Sequence, residues 1–144
     1  MMQLSEYFKL EEFTKSDTAR QKGINNTPDM RSIVNIVRLH DNVLYKLRKN
    51  LGHPVIITSG YRSKALNLAV GGAANSQHLS GEAADFTVQG QSNQAVFNWC
   101  KNNLIFDQLI LEQSGNAQWV HISFKLSGNR RQSLKFDGKN YYSA

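Results

Sequence analysis

The sequence predicts an α+β fold. A single domain over residues 1–144 should carry a small, mostly antiparallel sheet flanked by helices. Three observations carry this reading. Helical and strand periodicities alternate irregularly along the chain, without a regular βαβ rhythm. Two strand-like segments late in the sequence are joined by a Ser-Gly-Asn connection, which reads as a hairpin. The 144 residues, 40% hydrophobic and 19% charged, show no repeat, low-complexity tract or Pro/Ser-rich linker, and suit one core.

Each element has its own signal. Residues 4–13 are mixed, with Leu4, Phe8, Leu10 and Phe13 as apolar anchors. "NNTPDM" at 25–30 is turn chemistry, and Pro28 suits a first helical turn. Ile33, Ile36, Val37, His40, Val43, Leu44 and Leu47 then recur at helical spacing, predicting a helix over about 29–50 that Gly52 ends. The β-branched run Val55 to Thr58 predicts a strand, broken by Ser59-Gly60. "SKALNLAV" is a short helix closed by Gly71-Gly72, and Ala83 to Val88 is a second strand. Residues 91–103 read as a helix with Val96, Phe97, Trp99 and Cys100 apolar. "FDQLILE" at 106–112 and "QWVHISF" at 118–124 are the hairpin strands, linked by "QSGNA".

Seventeen Lys and Arg against eleven Asp and Glu give a formal charge of +6, which favours an anionic partner: nucleic acid, membrane surface or bacterial cell wall. The positive residues are scattered apart from "KLRK" at 46–49 and "GNRR" at 128–131, and no aromatic-basic binding motif accompanies them, so nucleic acid is not expected as a partner. A lone cysteine, Cys100, excludes an intrachain disulfide and a thiolate zinc cluster, and its apolar setting makes it a packed hydrophobe. No apolar run approaches transmembrane length. The opening "MMQLSEYFKLEEF" lacks a basic start followed by an apolar core, so synthesis in the cytoplasm without a Sec signal is expected.

The chemistry gathers around "SQHLSGEAADF" at 76–86. Catalytic zinc takes three protein ligands and keeps a fourth position open. His40 lies on the apolar face of the long helix and reads as a packed or capping residue; His53, in a Gly-His-Pro turn, reads as structural or solvent-exposed. His78 lies in a loop of small polar residues. Strand alternation puts Ala83, Asp85 and Thr87 on one face, and Trp119, His121 and Ser123 on one face of the second hairpin strand. If these strands are neighbours, His78, Asp85 and His121 converge as a zinc-type donor set. Spacing alone serves equally the reading in which Asp85 caps a turn and His121 is a half-buried strand residue.

The order Ser76-x-His78-x-x-Gly81-x-Ala83-x-Asp85, followed by Trp119-Val120-His121, resembles the M15 zinc peptidases. These comprise D-Ala-D-Ala carboxypeptidases and dipeptidases and the L-Ala-D-Glu endopeptidases of phage lysins. "SGYRS" at 59–63, "YFKLEEFTKSDTA" and "FDQLILE" are similar to the family too, so the resemblance covers about residues 5–125. It implies a Hedgehog-like, D-Ala-D-Ala-peptidase-like fold, with Zn2+ held by His78, Asp85 and His121. Arg62 would hold the oxyanion, and Ser76, Gln77 and Trp119 would bind substrate. Several members carry an acidic residue three positions before the last His; here that position is Gln118. Glu112 is the best substitute, because a hairpin loop of about five residues could set it opposite Trp119. Asp107, on the opposite face of that strand, is a weaker candidate.

The function so implied is a zinc-dependent peptidase cleaving the peptide stem of bacterial peptidoglycan by zinc-activated water attack. It would be of the D-Ala-D-Ala carboxypeptidase or L-Ala-D-Glu endopeptidase type, a monomer, acting on the wall after phage holin release or as a virion component. The alternative is a non-catalytic module that keeps the zinc and binds wall or protein.

Overall fold

The computed structural model describes residues 2–144. Its strands are β1 (Val55–Ser59), β2 (Ala83–Val88), β3 (Gln108–Ser114), β4 (Ala117–Ser123), β5 (Gln132–Phe136) and β6 (Tyr141–Ser143). They form one sheet in the order β1-β2-β4-β3-β5-β6. Every neighbouring pair is antiparallel except β3 with β5. The helices are α1 (Asp17–Lys22), α2 (Met30–Leu39), α3 (Tyr45–Leu51), α4 (Lys64–Ala69) and α5 (Asn93–Asn103). This is the α+β domain that the periodicities predict.

The long helix is α2 and α3 joined through a π turn, His40–Leu44. The Asp29 side chain accepts from the Ser32 N–H and caps α2. Pro28 therefore sits just ahead of the cap, outside the first turn where the sequence reading put it. Gly52 ends α3 at φ 70, a conformation that costs other residues a Cβ clash. The π turn adds one residue and seats His40 in the interior, bonded to Asp41 and to Ser5 Oγ. Its reading as a structural histidine holds; His53 is exposed.

Alternation divides the sheet into two faces. Ala84, Phe86, Val88, Leu109, Leu111, Val120 and Ile122 face the core, with Ile36, Leu39, Val43, Leu44 and Leu47 of the long helix and Phe8 and Phe13 of the N-terminal segment. Each such large side chain contributes roughly 1.5–3 kcal/mol by leaving water. Asp85, His121, Ile110 and Glu112 share the other face. Cys100 is buried, and its burial pushes the thiol pKa up to about 12, so it is a hydrophobe rather than a nucleophile.

Two details differ from expectation. The hairpin strands are longer than predicted at the turn, leaving only Gly115-Asn116 between Ser114 and Ala117, with Gly115 at φ 59. Gln113, Ser114 and Ala117 of "QSGNA" join the ladder because their main chain pairs whatever their side chains are. Secondly, residues beyond 125, for which the sequence reading gives no element, supply β5 and β6.

Candidate metal centre

Asp85 on β2 pairs directly with His121 on β4. Opposed residues of an antiparallel pair share a face, so register alone brings the carboxylate beside the imidazole. His78 comes from the 3-10 turn Gln77–Ser80 just ahead of β2. Ser76 Oγ accepts from the His78 N–H to start this turn, and Gly81, at φ 76, ends it. A Cβ on Gly81 would lie 2.6 Å from the Ser32 carbonyl oxygen, so the small residue serves packing against α2.

His121 Nδ1 lies 2.8 Å, and His78 Nε2 3.3 Å, from Asp85 Oδ1. The candidate ligand atoms of the three residues lie within 4.8 Å of one another, and all three residues are buried. His78 Nδ1 donates to the Gly60 carbonyl at 2.7 Å, which leaves Nε2 as the nitrogen with a free lone pair. Gly60 is tightly placed: a Cβ there would collide with the Phe13 main chain, while the Tyr61 N–H donates to Phe13 O at 2.6 Å.

Burial pushes the Asp85 carboxyl up, but the two imidazoles outweigh it and hold the pKa well below the usual carboxylate range. For His121, burial lowers the pKa and the Asp85 carboxylate, helped by Glu112, more than restores it. A buried carboxylate between two imidazoles is a site that seeks positive charge. Two nitrogens and an oxygen suit a borderline-soft dication, zinc above the harder calcium or magnesium.

The expected neighbours line one cleft of about 590 Å³ with these three. Arg62 is held over the site: its main-chain N–H donates to His78 O, its side-chain Nε to Ser59 Oγ and its Nη1 to Asn67 Oδ1. Its Nη2 lies 3.8 Å from Asp85 Oδ2. The pairing slips between Ile57 and Ser59 on β1, and Ser59 comes opposite Asp85, where β1 leads into Gly60-Tyr61-Arg62. Glu112 pairs with Trp119 as anticipated, two rungs from the Ile110–His121 pair and so on the same face. Burial, with the Asp85 charge, raises the Glu112 pKa against the opposing pull of His121 and Arg62.

Ser76 and Gln77 also line the cleft. Ser76 Oγ is engaged in the turn, and Gln77 Nε2 donates to Asp107 Oδ2. Gln77 Oε1 and Trp119 Nε1 are buried without hydrogen-bond partners among the described residues. Gln118 is not part of the site. Three positions from His121 is an odd spacing, so its side chain points to the other face, where Asn93 Nδ2 donates to its Oε1. Asp107 precedes β3 and is fully buried. Its carboxylate takes a paired bond from Arg130, at 2.9 and 2.7 Å, and one from Gln77, with Lys125 at 3.7 Å. Those cations, not its strand face, remove it as a base. Lys125, Arg130 and Tyr141 also reach the cleft, and the sequence reading missed them. "GNRR" had stood out only as charge.

The peptidase M15 family model matches residues 6–123. A zinc D-Ala-D-Ala carboxypeptidase of Streptomyces albus G is 31% identical over 81 residues, covering 56% of this chain and 32% of that protein. The chain thus spans about a third of the length of that relative. The match encloses the turn, strands and arginine that build the cleft: the chain belongs to the M15 peptidases, and zinc is the metal its buried His–Asp–His group fits.

Proposed function

We propose that the chain is a zinc-dependent peptidase that cleaves the peptide stem of bacterial peptidoglycan, by carboxypeptidase or L-Ala-D-Glu endopeptidase action. The observation that carries it is Glu112, a half-buried carboxylate of raised pKa in the same cleft as the His–Asp–His group. His78, Asp85 and His121 would hold the zinc, which supplies Lewis acidity and a lowered pKa for water. Glu112 takes a proton from the attacking water and returns it to the departing amine; its raised pKa brings it nearer neutrality, where one group performs both transfers best. Arg62, its guanidinium fixed by hydrogen bonds to Ser59 and Asn67, offers that group to the oxyanion. The charge of +6 suits an often anionic wall polymer. In this reading the protein works as a monomer on the wall, reaching it through a phage holin or as a virion component, with no nucleic-acid partner. The rival reading, a zinc-containing binding module, draws on Gln118 standing where several family members carry an acidic residue; that side chain bonds Asn93, and Glu112 is the carboxylate that lines the cleft.

Purified wall digested by the zinc-loaded protein should yield muropeptides with one stem bond cut, as read by mass spectrometry. A chelator should abolish the cut and added zinc restore it. Clearing that survives full metal removal would refute the proposal. Glu112→Gln should lower kcat by about 10²–10⁴-fold with zinc content unchanged. A wild type that retains zinc yet cuts no stem peptide would favour the module.

A further inference from the structure

The C-terminal hairpin contributes to the cleft beyond the segment that the family model matches. Register fixes how. Glu112 on β3 pairs with Phe136 on parallel β5, and Phe136 pairs with Tyr141 on β6. Trp119 pairs with Glu112 from the other side. Trp119, Glu112, Phe136 and Tyr141 therefore form one row across the sheet, on the face that carries Asp85 and His121. The Tyr141 ring lies on Phe136, with centroids 4.5 Å apart and planes inclined by 34°. Tyr141 is 57% exposed, lines the metal cleft, and its hydroxyl has no hydrogen-bond partner among the described residues. Its neighbour Tyr142 occupies the opposite face, where its hydroxyl donates to Asp137 Oδ2. One tyrosine of the pair is used by the fold and the other is not.

We propose that Tyr141, seated on Phe136, is a specificity-determining residue that contacts the peptide substrate about three residues from the scissile bond. This rests on the peptidase reading above. Two strand spacings separate Glu112 from Tyr141, roughly 10 Å, which extended peptide covers in about three residues. A stem running from the metal past Glu112 meets the exposed ring there, and the free hydroxyl can bond its main chain. Burial and the Glu112 charge both raise the Tyr141 pKa, so the hydroxyl keeps its proton at neutral pH. A dipeptide is too short to reach it, so Tyr141 selects for extended stems.

The test measures binding separately from cutting. Calorimetry with zinc-loaded Glu112→Gln protein would compare a synthetic stem pentapeptide ending in D-Ala-D-Ala with D-Ala-D-Ala itself. Adding Tyr141→Ala should weaken the pentapeptide about tenfold, the scale of one lost aromatic contact, and leave the dipeptide unchanged. Tyr141→Phe should recover most of the loss. Tyr142→Ala, on the other face of the same hairpin, should change neither ligand. In the otherwise wild-type enzyme, Tyr141→Ala should act on KM for the pentapeptide and spare kcat. An unchanged pentapeptide affinity, an equal loss for the dipeptide, an equal loss in Tyr142→Ala, or no pentapeptide binding by the parent would each overturn the inference. A wild type that binds the pentapeptide through Tyr141 without cutting it would sink the peptidase reading and leave only the Tyr141 contact with an extended stem standing. A wild type that cuts with no dependence on Tyr141 would do the reverse.

Discussion

His78 shows how much of a metal site is made by a residue that never touches the metal. Its Nδ1 is committed to Gly60 O, and the segment carrying that oxygen is pinned to Phe13, whose carbonyl accepts from the Tyr61 N–H and leaves no room for a Cβ on Gly60. A methyl at position 60 cannot be accommodated without moving the loop. Gly60→Ala should therefore weaken zinc binding by about 10–100-fold, the range seen when the partner of a ligating histidine is disturbed. Chelator competition would measure it, and unaltered affinity would show that the His78 ring does not depend on this carbonyl. The types of the ligands were legible in the sequence. The dependence on Gly60 was not, because it arises where residues 13, 60 and 78 meet, far apart in the chain. In "SGYRS" that glycine reads only as the end of a strand.

At the scale of elements, strands with a strong two-residue alternation were legible to within about two residues. β2 is the clearest, because its two buried faces come from "AADFTV", where apolar and polar duties interleave. The π turn was not legible, since the apolar spacing of the long helix tolerates one extra residue. β5 and β6 escaped for another reason. They are short and largely exposed, and β5 is placed by a parallel pairing with β3 that no local signal encodes. The segment between β4 and β5 is tied down by Asp107 and Arg130. Arg130 hydrogen bonds, acting against burial, hold the Asp107 pKa well below the usual carboxylate range. A folded-state pKa below the unfolded one stabilises the protein above about pH 4, and the contribution fades as pH falls through the folded value. Arg130→Met should cost roughly 1–3 kcal/mol at pH 7, discounted from a fully buried pair because Arg130 is half exposed. Urea denaturation of both proteins at pH 7 and pH 3 would check it: the gap should narrow on acidification, and a widening gap would contradict the assignment.

At the scale of the whole molecule, the sheet separates two tasks. One face joins the long helix, α5 and the N-terminal segment in the core; the other carries polar chemistry whose burial is made tolerable by mutual pairing. The sequence shows which residues lie on each face but not which strands are neighbours. The His–Asp–His group is therefore conditional in the sequence, and it is the pairing of β2 with β4 that assembles it. The tail side of the cleft stayed hidden because Lys125, Arg130 and Tyr141 belong to a segment whose place depends on the finished sheet. Asp107 ties that tail to the metal turn. Its carboxylate receives Gln77, next to His78, and the Arg130 main-chain N–H, while its carbonyl receives the Gln132 N–H. The turn and the tail should then open to solvent as one cooperative unit. Residues 130 and 132 are not among those that would hold zinc, yet loading it should slow deuterium uptake at both amides as well as at His78. Uptake there that ignores zinc would mean that the tail opens independently of the metal site.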